Sequence, residues 1–541
     1  MTAGPADATR RASAAAVLAF AAVSVWFTGV FPPWANPNEV SRFEQVVAMA
    51  EWRTLSIDRA VEVLGDHEDK AASGGRFYSN KAPGLAFAAY PVYRLLRLAL
   101  PAPWEGSPVL TLYLLRLLTV TAVCVLALWR FARSLEDGAS HPSAPALATA
   151  AAAFGTPFLF YGRSFFAHAW SAALLFLAWD RLRSRRPYGP GVGVAAALAG
   201  FLAGWAAISE YTVAPIVGLL ALRAAMGRDR GGRLAGFLSF LAGAAVPLAL
   251  LLWYDAACFG SPWILSSARE ADPSYAALAS RGVFGIGLPD ARVALDYLLH
   301  PARGALLYSP FLLWFLGGAV VWWRSGRNRA DCALAVAAVA VGFASLTGYP
   351  NWHGGWSLGD RYLLPLLFFA AAPIARALAT PLSRGLFVVC VAFSIGAHFV
   401  LTAAFPHVPL ELAWPASAGS LWFLARGWAA QSLGTIVGLS PAASLAVPLG
   451  LTALAAFPAI RAARPTAPSP SIAALAGASA FLLLLALAPE PPYAGRLWRA
   501  GMLGAFSGRD PDRTELRAVV SEAATDAERR RANVAWRMWG K

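Results

Sequence analysis

The chain has 541 residues, of which 58% are hydrophobic and only 14% are charged. Soluble proteins are roughly half apolar and about a quarter charged, so this composition excludes a soluble globular protein and indicates an integral membrane protein. The net charge of +15 does not indicate nucleic-acid binding, because the arginines cluster in short gaps between apolar blocks and form no compact basic domain.

The first apolar block, "AAAVLAFAAVSVWFTGVF", follows Arg10 and Arg11. It is long enough to cross a bilayer, since a spanning helix needs roughly 20 apolar residues. No clear small-residue cleavage site follows it, so a retained anchor is predicted in place of a signal peptide. The positive-inside rule then places the N-terminus in the cytoplasm.

A long polar loop, residues 32–108, follows this block and is predicted to lie outside. It opens with "PPWANPNEVSRF", in which Asn38 can cap a helix that starts near Glu39. Arg42 would then be an i,i+3 neighbour of Glu39. Glu39 is a candidate catalytic carboxylate close to the lipid surface. The alternative is an ordinary acid favoured by the helix dipole.

The same loop continues with "GDHEDKAASGGRFYSNKAPG", which carries a dense charged cluster at 66–70. Composition favours a solvated loop for this cluster, and Asp69 is the reserve candidate for a catalytic acid. A metal site here would need consecutive residues, which rarely converge on one ion, so no metal and no cofactor are expected. Lys81 stands just before an apolar run and is the candidate phosphate ligand.

The segment 83–100 decides the topology. As a full span it would place the arginine-rich "RLRSRRP" loop outside, against the positive-inside rule. As an interfacial helix, interrupted by Pro91, Arg94 and Arg97, it leaves about thirteen spans, and every inside segment then carries at least two arginines. The predicted spans lie near 12–31, 109–130, 144–161, 166–181, 191–208, 211–224, 233–253, 304–323, 330–348, 361–378, 384–404, 442–460 and 471–488.

Charged residues stand at several outer junctions of these spans. Arg163 and His168 flank a short turn, "YGRSFFAHAW", and Glu210 lies between the next two spans. An inserted charge costs roughly 2.5–3.5 kcal/mol, so each such group either snorkels or faces a polar cavity. Snorkelling is the safer interpretation for an isolated arginine, whereas an acid such as Glu210 favours a cavity or an ion pair.

The loop "GYPNWHGGWSLGDRYLLP", residues 348–365, gathers Trp352, His353, Trp356, Asp360 and Arg361 in a short outer link. An interfacial belt explains its aromatic residues. It does not explain the paired glycines, which let a backbone approach a ligand, or the Asp-Arg pair at the mouth of a span. The chain is therefore divided into a membrane domain, 1–488, and a polar outer tail, 489–541, predicted to be helical.

These motifs resemble the integral-membrane glycosyltransferases of the C-type (GT-C) fold, and within them the protein mannosyltransferase and lipid A aminoarabinose transferase group, glycosyltransferase family 39. That group carries an Asp-Glu pair followed by Arg-Tyr, a Gly-Asp-Trp-like stretch and Tyr-Phe-x-Lys-Pro-Pro. The corresponding segments here are "NEVSRF" at 38–43, "AEWRTLSID" at 50–58 and "FYSNKAPG" at 77–84, and "YGR" at 161–163 matches the second outer loop. The resemblance covers roughly the first 210 residues.

The resemblance implies an all-α polytopic fold and transfer of a sugar from a polyprenyl-phosphate carrier to an acceptor at the outer face of the cytoplasmic (inner) membrane. The partners it implies are membrane lipid, the lipid-linked sugar and a glycan, lipid or protein acceptor. A carboxylate takes the acceptor's proton while cations bind the carrier phosphate, with inversion at the sugar. The expected roles are catalytic for Glu39 and Asp69, phosphate-binding for Lys81, Arg163 and Arg361, and pocket-lining for Arg42, Tyr78, His168, Trp352, His353, Trp356 and Asp360.

Two departures from the family pattern keep other functions open. Asn38 replaces the first acid of the Asp-Glu pair, and Phe165, Phe166 and His168 stand where the family carries an acid after "YGR". An inactive scaffold with this fold is therefore one alternative. A transporter or lipid flippase is the other, although it predicts internal repeats and mid-span breaks that the sequence does not show.

Overall fold

The computed structural model of the chain describes residues 5–29, 36–183, 192–226, 230–279, 285–404, 406–410, 412–462, 470–487, 489–506 and 513–539. Nearly all regular structure in these ranges is helical, which confirms the prediction of an almost entirely α-helical protein.

The first half of the chain contains one helix before the long polar loop, three helices and the two strands of a β-hairpin within the loop, and a series of apolar helices after it. In chain order these are α1 (Pro5–Trp26), α2 (Pro37–Glu51), α3 (Asp58–Leu64), β1 (Lys70–Ser73), β2 (Arg76–Ser79), α4 (Gly84–Leu96), α5 (Pro108–Arg116), α6 (Ala122–Glu136), α7 (Ala144–Phe154), α8 (Phe158–Tyr161), α9 (Ala167–Arg183), α10 (Val192–Ser209), α11 (Ala214–Ala224) and α12 (Arg230–Phe259). A π-helical segment, Leu117–Thr121, joins α5 to α6, and a 3-10 turn, Tyr211–Val213, precedes α11.

The second half alternates apolar helices with short helical turns and ends in three helices of the polar tail. The helices are α13 (Pro273–Ala279), α14 (Ala291–Leu299), α15 (Ala305–Tyr308), α16 (Trp314–Arg324), α17 (Arg329–Thr347), α18 (Leu367–Ile374), α19 (Pro381–Ala403), α20 (Trp422–Ala425), α21 (Leu433–Ile436), α22 (Pro441–Ala462), α23 (Pro470–Leu487), α24 (Tyr493–Phe506), α25 (Arg513–Ser521) and α26 (Asp526–Trp539). Segments of 3-10 helix lie at Ser266–Arg269, Pro310–Leu313 and Arg361–Leu366, and a π-helical segment lies at Pro415–Leu421.

Each predicted span coincides with one or more of these helices. By length and composition, four helical stretches among the described residues can cross a membrane: Pro108–Glu136, Gly232–Phe259, Arg329–Thr347 and Pro381–Ala403. Shorter apolar helices accompany them, so the chain is a multi-pass helical membrane protein. The number of thirteen spans stays a prediction.

The buried centre of the bundle is formed by α7 and α9, whose apolar residues are almost all inaccessible. Aromatic rings join these helices to their neighbours. Phe131 of α6 packs edge-on against Phe176 of α9 with ring centroids 5.5 Å apart, and Phe368 of α18 lies 5.1 Å from Phe131. Edge-to-face contacts of this kind stabilise a core beyond the area they bury.

The close crossing of α10 and α12 depends on glycine. A Cβ atom on Gly200 would lie 1.9 Å from the carbonyl oxygen of Phe240, and one on Gly243 would lie 1.8 Å from that of Ala197. Only hydrogen fits at both positions. Small residues at such crossings let membrane helices associate by backbone contact.

The helix predicted at 83–100 is present as α4, and it packs on α2 and on the end of α10. The indole N–H of Trp205 donates to the carbonyl of Gly84 at 2.8 Å. Leu95 and Leu98 remain exposed on this segment, with 67% and 83% of their surface accessible. An exposed leucine face suits a helix that lies on a lipid surface, and its interfacial position stays a prediction.

A short β-hairpin in the first outer loop was not predicted. Strands β1 and β2 pair antiparallel, with Lys70 opposite Ser79 and Ser73 opposite Arg76. Gly74 and Gly75 form the turn with φ values of 58° and 75°, the left-handed geometry of a two-residue hairpin turn. The "SGGR" sequence is a recognisable signal for this turn, and the sequence interpretation treated it only as loop.

The tail begins with α24, which packs on the loop segments of the same face. The guanidinium of Arg499 donates to the carbonyl of Ala418 at 3.2 Å and lies over the ring of Trp422. Trp498 packs edge-on against Trp356, with ring centroids 6.0 Å apart. The first tail helix therefore contacts the glycine-rich loop 348–365 directly.

Candidate functional site

The candidate site is built around α2, a helix whose polar residues are buried. Asn36 caps it, its side chain accepting a hydrogen bond from the backbone N–H of Asn38 at 3.0 Å. The prediction that Asn38 is the cap was therefore wrong: Pro37 occupies the first turn, where a proline is favoured, and moves the start upstream. The Asn38 side chain instead accepts a hydrogen bond from Arg42.

Glu39 is 1% exposed and is held from two sides. The backbone N–H of Phe165 donates to its Oε1 at 2.6 Å, and Nη1 of Arg116 lies 3.5 Å from the same oxygen. Arg116 also donates to the carbonyl of Thr28, two residues after α1. The turn at 163–166 thus contributes a backbone donor to this carboxylate.

Arg163 lies beside this pair and is also only 1% exposed. None of its three guanidinium nitrogens has a hydrogen-bond partner among the described residues. The group stacks against Phe27 and Phe160, 4.6 and 5.3 Å from their ring centroids. Burial, with the nearby charge of Arg116, lowers its pKa to about 9. We call Glu39, Arg116 and Arg163 the Glu39 cluster.

A second group, the Asp69 cluster, consists of Asp69, Asn80, Lys81 and Glu270. Nζ of Lys81 lies 3.0 Å from Oδ2 of Asp69. Nδ2 of Asn80 donates to Oε2 of Glu270 at 2.7 Å and to Oδ1 of Asp69 at 3.5 Å. The predicted phosphate ligand and the reserve catalytic acid therefore form one ion pair.

The two carboxylates of the Asp69 cluster have pKa values that are shifted in opposite directions. Burial acts to raise the pKa of Asp69, but the ammonium of Lys81 outweighs it and holds that pKa below its usual value. Burial raises the pKa of Glu270 to about 7, with Lys81 and Asn80 only partly opposing it. Two neighbouring acids whose pKa values are shifted in opposite directions, one of them to about 7, are typical of functional sites.

The hairpin holds the Asp69 cluster against α2. The hydroxyl of Ser41 donates to the carbonyl of Asp69 at 2.6 Å and lies 2.8 Å from the hydroxyl of Ser79. The backbone N–H of Ala271 donates to the carbonyl of Lys70 at 2.8 Å, which adds the loop carrying Glu270 to the outer edge of the hairpin.

Arg42 faces both clusters from α2. Burial lowers its pKa to about 10, whereas Glu210, Asp69 and Glu39 are close enough to raise it. Nδ1 of His168 lies 2.9 Å from Oε2 of Glu210, so this acid has a buried polar neighbour. Burial would raise the pKa of Glu210, but its neighbours His168, Thr212 and Arg42 lower it to about 2.

The loop 348–365 contributes Arg361, which lies over the rings of Phe166 and Tyr362 at 5.2 and 5.3 Å. Its charge acts on Arg42 and Asp69, so it belongs to the same site. Its Nε has no hydrogen-bond partner among the described residues.

The Asp360 side chain lies at a different cavity from the two clusters. Both its oxygens lack a partner among the described residues, and burial raises its pKa well above the usual range. It lines an apolar cavity of about 310 Å³ together with residues such as Arg303, Leu367 and His398.

The remaining predicted pocket residues are not gathered at the two clusters. Tyr78 faces away from Ser79 along β2 and packs against Phe259. Trp352 packs against Tyr297, and Trp356 against the tail.

The loop that carries these tryptophans is fixed by its own hydrogen bonds. His353 Nδ1 accepts a hydrogen bond from the N–H of Gly355 at 3.1 Å. Arg303, which the sequence interpretation missed, donates to the carbonyls of His353, Gly355 and Val408 and to the hydroxyl of Ser357.

Two more residues of the site were missed. Arg116 was counted inside a span, although an ionisable residue within an apolar block is itself a functional signal. Glu270 lies in an ordinary polar loop, and no local pattern marks it. Among the described residues, no group of three or more His, Cys, Asp or Glu side chains is placed to hold a metal ion.

No family model matches the chain, and no curated protein matches its sequence. Among solved structures, the chain is similar to ArnT from Cupriavidus metallidurans in the apo state, with 15% identity and a TM-score of 0.45 over 91% of this chain and 79% of that one. The same protein bound to undecaprenyl phosphate gives 13% identity and a TM-score of 0.42, again over 91% and 79%.

The chain is also similar to the archaeal oligosaccharyltransferase AglB from Archaeoglobus fulgidus, in complex with an inhibitory peptide and a dolichol-phosphate. This similarity has 13% identity and a TM-score of 0.36 over 93% of this chain and 59% of that one. At these TM-scores the likenesses carry no conclusion about the activity of this chain.

Proposed function

We propose that the chain is an integral-membrane glycosyltransferase of the C-type fold, which transfers a sugar from a polyprenyl-phosphate carrier to an acceptor at the outer membrane face. The motifs at 38–43, 77–84 and 161–163 support this proposal, because they fall on the parts of α2, β2 and the 161–166 turn that surround the buried charges.

The observation that carries the proposal is the buried guanidinium of Arg163, which has no hydrogen-bond partner among the described residues. A buried charge without compensation costs several kcal/mol. A phosphate supplies both the opposite charge and several acceptor oxygens, and arginine matches that geometry in a bidentate way. Glu39, held by the N–H of Phe165 and by Arg116, is the carboxylate beside this guanidinium that we assign to the acceptor hydroxyl.

Lys81 is the second proposed phosphate ligand, and its ion pair with Asp69 gives it a further role. When the carrier phosphate engages Lys81, Asp69 loses the charge that holds its pKa low, and becomes a stronger base. A positioned carboxylate base supplies about 10²–10⁴-fold in rate. Carrier binding would thus activate the reserve acid, while cations stabilise the phosphate that leaves the sugar with inversion.

The test uses Arg163→Gln and Glu39→Gln in the full chain, with Arg324→Gln as an exposed control arginine on the other face. Binding of labelled polyprenyl phosphate should weaken roughly 10- to 100-fold in Arg163→Gln, because hydrogen bonds to charged groups contribute about 1.5–3 kcal/mol. Glu39→Gln should instead reduce transfer from a panel of polyprenyl-phosphate sugars by at least about 10²-fold and leave binding intact.

Unchanged carrier binding in Arg163→Gln would remove this arginine as a phosphate ligand. Full transfer activity in Glu39→Gln would leave Asp69 as the base. If the wild-type chain binds the carrier phosphate and consumes no donor, it is a scaffold or lipid transporter and the proposed transfer is wrong.

A further inference from the structure

A cavity of about 240 Å³ opens between α1 and α6, at the face of the bundle opposite the candidate site. Its charged lining consists of Arg10, Arg11, Arg133 and Glu136, and Ser13 adds a hydroxyl. Along α1, seventeen residues separate Arg10 from Phe27, which contacts Arg163, so the two sites are about 25 Å apart. The cavity takes no part in the proposed transfer.

The cavity carries an excess of positive charge. Oε2 of Glu136 lies 3.1 Å from Nε of Arg10, and Oε1 lies 3.1 Å from Nη1 of Arg133. One carboxylate is therefore shared by two arginines. No hydrogen bond or ion pair reaches the side chain of Arg11 among the described residues. Among the described residues that line the cavity, three positive groups face one carboxylate, which leaves a net positive charge for an anion to neutralise.

The other wall of the cavity is apolar and continues to the outside of the bundle. Ala14, Val17 and Trp129 line it. Trp129 is 44% exposed, and its neighbour Leu126 is 45% exposed. A tryptophan at this level is typical of the interface between headgroups and acyl chains. A ligand of this cavity therefore meets cations at one end and an apolar surface at the other.

We propose that this cavity binds the phosphate headgroup of an anionic phospholipid, with the acyl chain along Ala14 and Trp129. A free phosphate ion offers the same anionic chemistry but would leave the apolar wall without a partner. Basic pockets between helices on the cytoplasmic side are known binding sites for anionic lipid headgroups. Arg11 supplies the unshared charge, and Arg133 can exchange Glu136 for the phosphate.

The test measures melting of the full chain in detergent with added phosphatidylglycerol, phosphatidylcholine or inorganic phosphate. A ligand that binds only the folded state raises the melting temperature. Phosphatidylglycerol should raise it by several degrees in the wild type, whereas the other two should not. The double variant R11Q/R133Q should lose most of that shift. The control R181Q/R324Q removes the same charge from exposed arginines outside the cavity and should keep it.

A full phosphatidylglycerol shift in R11Q/R133Q would overturn the proposal. So would an equal shift with inorganic phosphate, which would identify a site for free anions. If R11Q/R133Q does not fold, Ala14→Phe keeps every charge and fills the apolar wall, and it should lose the shift. Retention of the shift in Ala14→Phe would show that the lipid binds elsewhere.

Discussion

Glu270 illustrates how a single side chain acquires its properties from a distant part of the chain. Its carboxylate is hydrogen-bonded to Asn80, 190 residues earlier, and burial raises its pKa to about 7. In the folded protein it binds a proton that the unfolded chain, with a pKa near 4.5, has already released. Its contribution to stability is therefore largest at low pH and declines as pH rises toward about 7.

Glu270→Gln should remove this decline, because the amide stays neutral at every pH. Its melting temperature should equal that of the wild type near pH 4.5 and exceed it at pH 8, by the equivalent of about 1–3 kcal/mol. Thermal melts of both proteins across this range provide the measurement. Glu62→Gln, at an exposed position of α3, should follow the wild-type profile. Parallel curves for wild type and Glu270→Gln would contradict the assigned pKa.

The residues of the site divide into those that local sequence reveals and those it does not. Arg163 drew attention because a charge beside apolar blocks is costly, whereas Glu39 and Lys81 were assigned roles from the resemblance of their motifs to a known family. Arg303 and Glu270 were missed, since their partners lie tens to hundreds of residues away. No property of a short window identifies a carbonyl or carboxylate that only the fold brings near.

At the level of secondary structure, the hairpin is what brings Asp69 and Lys81 together. Asp69 directly precedes β1 and Lys81 lies two residues after β2, so the pairing of the strands sets the distance between their charges. The helices were predictable because apolar period and length determine them. The hairpin has only four residues a strand, and its turn glycines were the one usable signal.

Replacing both turn glycines, in G74A/G75A, should loosen this arrangement without any clash. A Cβ at either position meets nothing within 4 Å, so the cost is purely that of left-handed backbone, roughly 1–2 kcal/mol a residue. Hydrogen exchange of the amides of residues 70–79 should accelerate, and binding of polyprenyl phosphate should weaken. Gly317→Ala, in helix α16 with open space around it, serves as the control. Unchanged exchange would show that the hairpin is not limited by its turn.

Across the whole molecule, contacts among the described residues group several of the predicted outer segments together. Ala71 pairs with Glu270, Arg303 donates to Ser357 and Val408, and the tail residues Trp498 and Arg499 contact Trp356 and Ala418. On the predicted inner face, Asp331 lies 3.0 Å from Arg223 and 3.9 Å from Arg183, which joins the ends of three helices. The alternation of segments was predictable from charge, whereas their mutual contacts were not.

The orientation of these faces can be measured by cysteine labelling. In a chain whose four native cysteines are replaced, Glu62→Cys and Val534→Cys should react with a membrane-impermeant maleimide in intact cells. Arg324→Cys should react only after the membrane is opened, because it lies at the arginine-rich end. All three positions are exposed, so burial does not limit the reaction. The reverse pattern would invert the predicted topology.

The hydrogen bonds of Arg303 have an evolutionary consequence. This guanidinium donates to three backbone carbonyls and one hydroxyl. Its hydrogen bonds therefore depend on the backbone conformation of the 348–365 loop more than on the identity of the loop's side chains. His353 and its neighbours are then free to diverge between descendants, provided the loop keeps its course. Lysine could not replace the arginine, because a single ammonium cannot span the same carbonyls. Selection should preserve the distant arginine while the loop it fixes drifts in sequence.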